Sequence, residues 1–237
     1  MKQKLSFWGG VIFLLLVIAF VFSLGVMTWE KVTDARLLPI SKLEMQGQVN
    51  YTKAQDIQQA IFSISPLGSV ITQNVNQLQS VIQNLPWVES VAVRKQWPDT
   101  LKLFIVEHKA VAIWNKDKLL NTDGTVFNGN INDVLDQHLI MLFASDDHSV
   151  FVMKTWQKIK PLFEAQNLSL KEVWYSTRHA WTLILSNGIR LELGKEALIE
   201  RIKRFLLVYP KIQEKQLDID YVDLRYDTGL AVGWKNQ

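Results

Sequence analysis

Four histidines, His108, His138, His148 and His179, are the first residues to weigh for acid–base or metal chemistry. A zinc site needs ligands that converge at short helical or hairpin spacing, and no two of these stand four apart. No carboxylate motif accompanies them, so solvated or turn positions are the simpler reading. Asp146-Asp147 places two acids side by side but lacks the alternating carboxylates of a calcium loop, and a solvated turn is again expected. Glu107 and Asp223 fall in strand-like stretches and form the one candidate acid–base pair. The chain has no cysteine, which excludes disulfides, thiol nucleophiles and thiolate-held metal. Leu193-Gly194-Lys195 is a lone glycine after a strand, not a phosphate loop, and no serine-nucleophile motif occurs. Nine tryptophans could suggest sugar stacking, but Trp87, Trp97, Trp114 and Trp181 fall where a sheet protein buries them. The net charge is +3 and no Lys/Arg block tracks phosphates, so nucleic acid is not indicated. The expectation is a protein with no catalytic residue, cofactor or metal, one that works by binding.

Leu5 to Trp29 contains no charged side chain and is mostly Val, Ile, Leu and Phe. Its 25 residues are enough to cross a hydrocarbon core of about 30 Å. A cleaved signal peptide is the rival reading, but its apolar region is shorter and Val26-Met27-Thr28-Trp29 is a poor cleavage site. Lys2 and Lys4 precede the span, whereas Glu30, Lys31, Asp34 and Arg36 cancel after it. The positive-inside rule then keeps residues 1–4 in the cytoplasm and exports the rest. Trp8 and Trp29 stand near the two ends, where indole rings favour the interface.

Residues 30–37 form a polar connector, and the exported part reads as two units with no linker rich in Pro, Gly or Ser between them. The first, 38–128, begins with a strand around Gly47 carrying Leu43, Met45 and Val49. Thr52, with Gln55 three residues on, predicts a capped helix bearing Ile57, Ala60, Ile61 and Ile64. Pro66-Leu67-Gly68 breaks it, and a second helix carries Val75, Leu78, Ile82 and Leu85. Val88, Val91 and Val93 open a strand. Trp97-Pro98-Asp99-Thr100 turns the chain back into Leu101, Leu103 and Ile105. A trailing hairpin around Asp123-Gly124 leads onward. The second unit, 129–237, carries an apolar run at 139–143, a helix over 151–165, and strands at 170–175, 181–185 and 189–193. Asn187-Gly188 joins the last two strands as a hairpin. A helix over 196–213 buries Leu198, Ile202, Phe205, Leu206 and Tyr209. Strands at 219–225 and 230–234 close the chain and leave an unpaired edge. The fold class is α+β: a transmembrane helix, a βααββ domain, and a mixed or antiparallel β-domain with flanking helices.

The run from Leu85-Pro86-Trp87-Val88 through Arg94-Lys95-Gln96-Trp97-Pro98-Asp99-Thr100-Leu101, with Glu107, Ala112 and Trp114 after it, resembles the polypeptide-transport-associated (POTRA) domain of the FtsQ family of bacterial cell-division proteins. Ser186-Asn187-Gly188-Ile189, Leu193-Gly194-Lys195, Arg201 to Phe205 and the closing Val222-Asp223-Leu224-Arg225-Tyr226-Asp227-Thr228-Gly229-Leu230-Ala231-Val232-Gly233-Trp234 resemble its β-domain. The resemblance implies a non-catalytic divisome scaffold at the septum, anchored in the inner membrane with its C-terminal domain in the periplasm. It implies FtsB and FtsL as partners, with FtsK a further one on the first unit. It places FtsB on the last strand, at Arg225, Tyr226, Thr228, Gly229 and Trp234, with Arg178 nearby. Thr228 stands where some members have Ser. Edge-strand physics agrees, since a terminal strand can accept a partner strand and Gly229 admits a close backbone. The plainer alternative is a strand surface pair and a turn glycine. A second function, a POTRA-type chaperone for outer-membrane proteins, predicts repeated units or barrel strands. An anchored envelope enzyme predicts a titratable cluster in a pocket.

Overall fold

The computed structural model describes residues 2–33, 40–64, 69–214 and 218–235. The connector residues 34–39 and the break expected at Pro66-Leu67-Gly68 lie outside them, as do the side chains of Lys2, Lys4 and Trp8. Helix α1 (Lys2–Thr33) runs past both ends of the expected 5–29 span, because no Pro stands near either end to stop it. Its stretch Ile12–Lys31, with mean hydropathy 2.6, is long and apolar enough to cross a membrane, and none of it is covered by the rest of the chain.

Two compact units follow the contacts within the chain, Met1–Glu107 and His108–Gln237. The first carries β1 (Lys42–Gln46), α2 (Ala54–Phe62), α3 (Val75–Gln83), β2 (Val88–Gln96) and β3 (Thr100–Glu107). Its sheet runs β1-β3-β2, with β1 parallel and β2 antiparallel to β3. Ile57 and Ile61 of α2 and Leu78 and Ile82 of α3 pack on Leu101, Leu103 and Ile105 of the central strand. The expected helical stripes therefore form the core. Strand β1 stops before Gly47 instead of centring on it, since Gly47 takes φ +123° with its α-carbon against the Ile105 carbonyl, where a side chain cannot fit.

The Thr52–Gln55 capping box does not form. Helix α2 starts after Lys53 without a side-chain cap. A carboxylate from the far end of β3 does the anchoring instead: Glu107 accepts the backbone N–H of Asn50 at 2.7 Å, Tyr51 at 3.0 Å and Thr52 at 2.6 Å. Burial works against this charge, but the hydrogen bonds from Thr52, Asn50 and Tyr51 outweigh it and hold the carboxyl below its usual range. The folded state therefore prefers the ionised form. Its contribution is complete above the unfolded-state pKa and is lost as pH falls through the lower folded value. Glu107→Gln is expected to destabilise this unit by about 1 kcal/mol at neutral pH. The gap from the parent should narrow as pH falls below the usual carboxylate range, in urea unfolding followed by tryptophan fluorescence.

The second unit has a nine-stranded sheet in the order β12-β11-β10-β9-β8-β7-β4-β5-β6. Its strands are β4 (Ala110–Trp114), β5 (Lys118–Asn121), β6 (Val126–Phe127), β7 (Ile140–Phe143), β8 (Leu170–Tyr175), β9 (Trp181–Leu185), β10 (Arg190–Gly194), β11 (Ile219–Asp223) and β12 (Ala231–Trp234). Helices α4 (Ser149–Glu164) and α5 (Leu198–Gln213) bury Met153, Phe163, Ile202 and Phe205 against it. The 38–128 boundary differs here: the hairpin over 110–127 belongs to this second sheet, because β4 pairs in parallel with β7. Trp87, Trp114 and Trp181 are buried as expected, but Trp97, at the tip of the β2–β3 turn, is 62% exposed.

Candidate partner-binding edge

Strand β12 ends the sheet. It pairs antiparallel with β11 on one side, Val222 opposite Val232 and Asp223 opposite Ala231, and among the described residues no strand pairs with its other side. The edge expected from the sequence is therefore present, four residues long. At the usual rise it offers about 10 Å of free backbone donors and acceptors.

Register sets the neighbours of this edge. Tyr175 faces Trp181, Trp181 faces Gly194, and Glu192 faces Asp223. The β8–β9 turn bearing exposed Arg178 thus sits at the same sheet end as the turn that follows β11. Arg178, Arg225, Tyr226, Thr228 and Gly229 gather at this end, all exposed except the half-buried Gly229, and Tyr226 is 58% exposed. Trp234 stands apart from them, at the opposite end of β12 across from Ile219, partly buried against the core.

Arg225 is already engaged. Its Nε and Nη2 donate to the two carboxylate oxygens of Asp223 at 2.9 and 2.7 Å, and its own N–H bonds Oδ1 at 3.0 Å. The Arg225 hydrogen bond holds the buried Asp223 carboxyl below its usual range against desolvation, and Asp223 in turn pushes the Arg225 guanidinium up. A partner acid would meet a guanidinium whose fork is half occupied. Asp223 and Glu107 are each hydrogen-bonded within their own unit.

Two arginines that the sequence did not single out fix the turn. Arg201 of α5, 8% exposed, donates Nη1 to the Leu193 carbonyl at 2.6 Å and Nη2 to the Arg225 carbonyl at 3.1 Å. Arg204, one helical turn on, donates Nη1 to the Asp227 carbonyl at 2.7 Å. Both interrupt the apolar stripe of α5, and their spacing of three on one helix face is the signal that was available.

The glycines also divide differently. Gly229 has neither a left-handed φ nor any atom near where a Cβ would stand, so the free chain does not need glycine there. Gly233 does, because the ring of Tyr221 lies over it from β11, itself under the Arg190 guanidinium at 5.6 Å. Gly233→Val should displace Tyr221 and cost about 2 kcal/mol, read as a lowered thermal midpoint.

The structure takes the enzyme candidates into local contacts and brings His148 and His179 together, ring centroids 5.9 Å apart. Asp146 accepts from the Trp114 indole at 2.7 Å and Lys118 at 2.8 Å, and His108 stacks on Phe127 at 4.4 Å. His148 and His179 flank Tyr175, with His179 Nδ1 2.8 Å from the Tyr175 hydroxyl. Among the described residues no three His, Asp or Glu converge as metal ligands would.

Residues 38–108 match the family model of the FtsQ-type POTRA domain, and residues 112–225 match that of the C-terminal region of cell division protein FtsQ/DivIB. Cell division protein FtsQ of Aliivibrio fischeri is 42% identical over 96% of this chain and 88% of its own length. The Vibrio cholerae protein of that name is 41% identical over 95% and 86%. That of Escherichia coli is 38% identical over 95% and 84%.

Proposed function

Because the chain belongs to the FtsQ family of cell-division proteins, we propose that it serves division as a non-catalytic, membrane-anchored scaffold that binds FtsB and FtsL and links early and late division proteins at the septum. Its apolar helix anchors it in the inner membrane, with residues before the span in the cytoplasm and both units in the periplasm. FtsB adds a strand to β12. Arg178, Tyr226 and the rest of the Arg225 guanidinium frame one end of that strand, and Trp234 frames the other. FtsK docks on the first unit. No small-molecule substrate, cofactor or nucleic acid takes part.

The observation that carries this reading is a short strand at the edge of the described sheet whose adjoining turn is held from beneath by Arg201 and Arg204 while Tyr226 stands exposed. A preset turn beside an open ladder lowers the ordering cost of strand addition.

Gly229→Val tests it, since the free fold leaves room for the new side chain. The detergent-solubilised full chain is incubated with the periplasmic part of FtsB and captured. Binding by the parent and loss of at least about tenfold in the variant is expected, because the added side chain blocks a close backbone. Equal binding by both would keep the scaffold and move the site. No binding by a folded parent would favour the chaperone reading.

A further inference from the structure

We propose that the end of the first unit bearing Phe62 and Trp97 rests on the lipid bilayer, with both aromatic side chains in the headgroup region. This rests on the reading that α1 spans the membrane.

The tether supplies the first constraint. Helix α1 ends at Thr33 and β1 begins at Lys42, leaving eight residues between them. Fully extended, that stretch reaches at most about 30 Å. The first residues of β1 therefore stay close to the membrane surface whatever path the connector takes.

Register identifies what surrounds those residues. Lys42 pairs with Thr100, and the N–H groups of Ser41 and Lys42 bond the Asp99 carbonyl at 3.1 and 3.3 Å. The β2–β3 turn, with Trp97 at its tip, thus lies beside the start of β1. Helix α2 returns towards the same end: Ile61 and Phe62 line one shallow groove with Ile40, Lys42, Leu43 and Leu101. Phe62 is 69% and Trp97 62% exposed, two large aromatics uncovered on one end of a small domain. The opposite end, where Glu107 holds Asn50 and Thr52, turns away from the membrane.

The chemistry suits a headgroup layer. Indole and phenyl rings partition to that depth, and Lys42 can meet a lipid phosphate. Asp99, beside Trp97, accepts from the Ser41 hydroxyl, which favours its ionised form, and Lys42 alongside offsets its repulsion of anionic lipid. Trp97 lies outside the core of its unit, which leaves its ring available to lipid.

The chain has no cysteine, so single labels report cleanly. A fluorophore is attached through Gln96→Cys beside Trp97, through Asn50→Cys at the opposite end, or through Gly25→Cys within α1. Each full-length protein is reconstituted in vesicles of phosphatidylethanolamine and phosphatidylglycerol. Quenching is measured with nitroxide on the lipid headgroup, and on the acyl chain for position 25. Position 96 should be quenched at least about twofold more than position 50, and Phe62→Ser with Trp97→Ser should remove the difference. Equal quenching at 96 and 50, with position 25 quenched, overturns the proposal while keeping the anchor. A difference that survives the double substitution also overturns it, since the aromatics then make no lipid contact. No quenching at position 25 would overturn the anchor reading, and the proposal with it.

Discussion

Tyr226→Ala is expected to weaken capture of a FtsB-type partner by about thirtyfold, roughly 2 kcal/mol, with the unfolding midpoint unchanged. Tyr226 is exposed and outside the core of its unit, so its removal leaves the packing intact. Its position matters for binding. It follows Arg225, whose carbonyl is held by Arg201, and precedes Asp227, whose carbonyl is held by Arg204. Neighbours fixed on both sides leave the ring little freedom to lose, and rigid aromatics at preset positions are the usual anchors of interfaces. Main-chain pairing along β12 does not depend on this side chain, so binding should weaken and not vanish. Titration of the labelled partner against the full chain gives the affinity, and thermal unfolding of the same samples gives the control. Unchanged affinity would remove this end of β12 from the interface.

Arg201→Met is expected to cost about 3 kcal/mol in stability of the second unit. Methionine keeps much of the volume but donates nothing, so the Leu193 carbonyl in β10 and the Arg225 carbonyl after β11 lose their partner together. The arginine also lies close enough to Asp223 to favour its charge, and without it the Asp223–Arg225 pair bears the desolvation alone. Urea unfolding of the full chain would show the loss. Partner capture should fall as well, as the turn under Tyr226 loosens. The two substitutions therefore separate: one weakens binding at constant stability, the other weakens both.

Length and lack of charge made the apolar span readable, and periodicity the two helices of the first unit and the stripe of α5, because such patterns are local. Three features depended on distant residues and were not. Thr52 and Gln55 have the spacing of a capping box, yet Glu107, 55 residues beyond Thr52, supplies the carboxylate. The hairpin over 110–127 has no local mark of its partner, and only the parallel pairing of Ile113 with Met141 assigns it to the second sheet. Trp97 sits between two strands that contribute to the core, but the turn that Pro98 and Asp99 impose projects it outward. At the edge itself, Arg225 reads as a free cation until Asp223, two residues earlier at the end of β11, is seen to hold its fork.

Strand β12 reaches the rest of the sheet only through β11, and β11 meets β10 over three residue pairs, Arg190 with Tyr221, Leu191 with Val222 and Glu192 with Asp223. The last two strands therefore form a ribbon that can open as a unit, at a free energy below that of global unfolding. Its amides should exchange with deuterium before those of β8 and β9, which are flanked on both sides. A partner strand laid on β12 would enclose the ribbon between two ladders and slow exchange in β11, which the partner never touches. Assembly on this edge would thus stabilise a ribbon that the free sheet already holds in place, raising the free energy needed to open it.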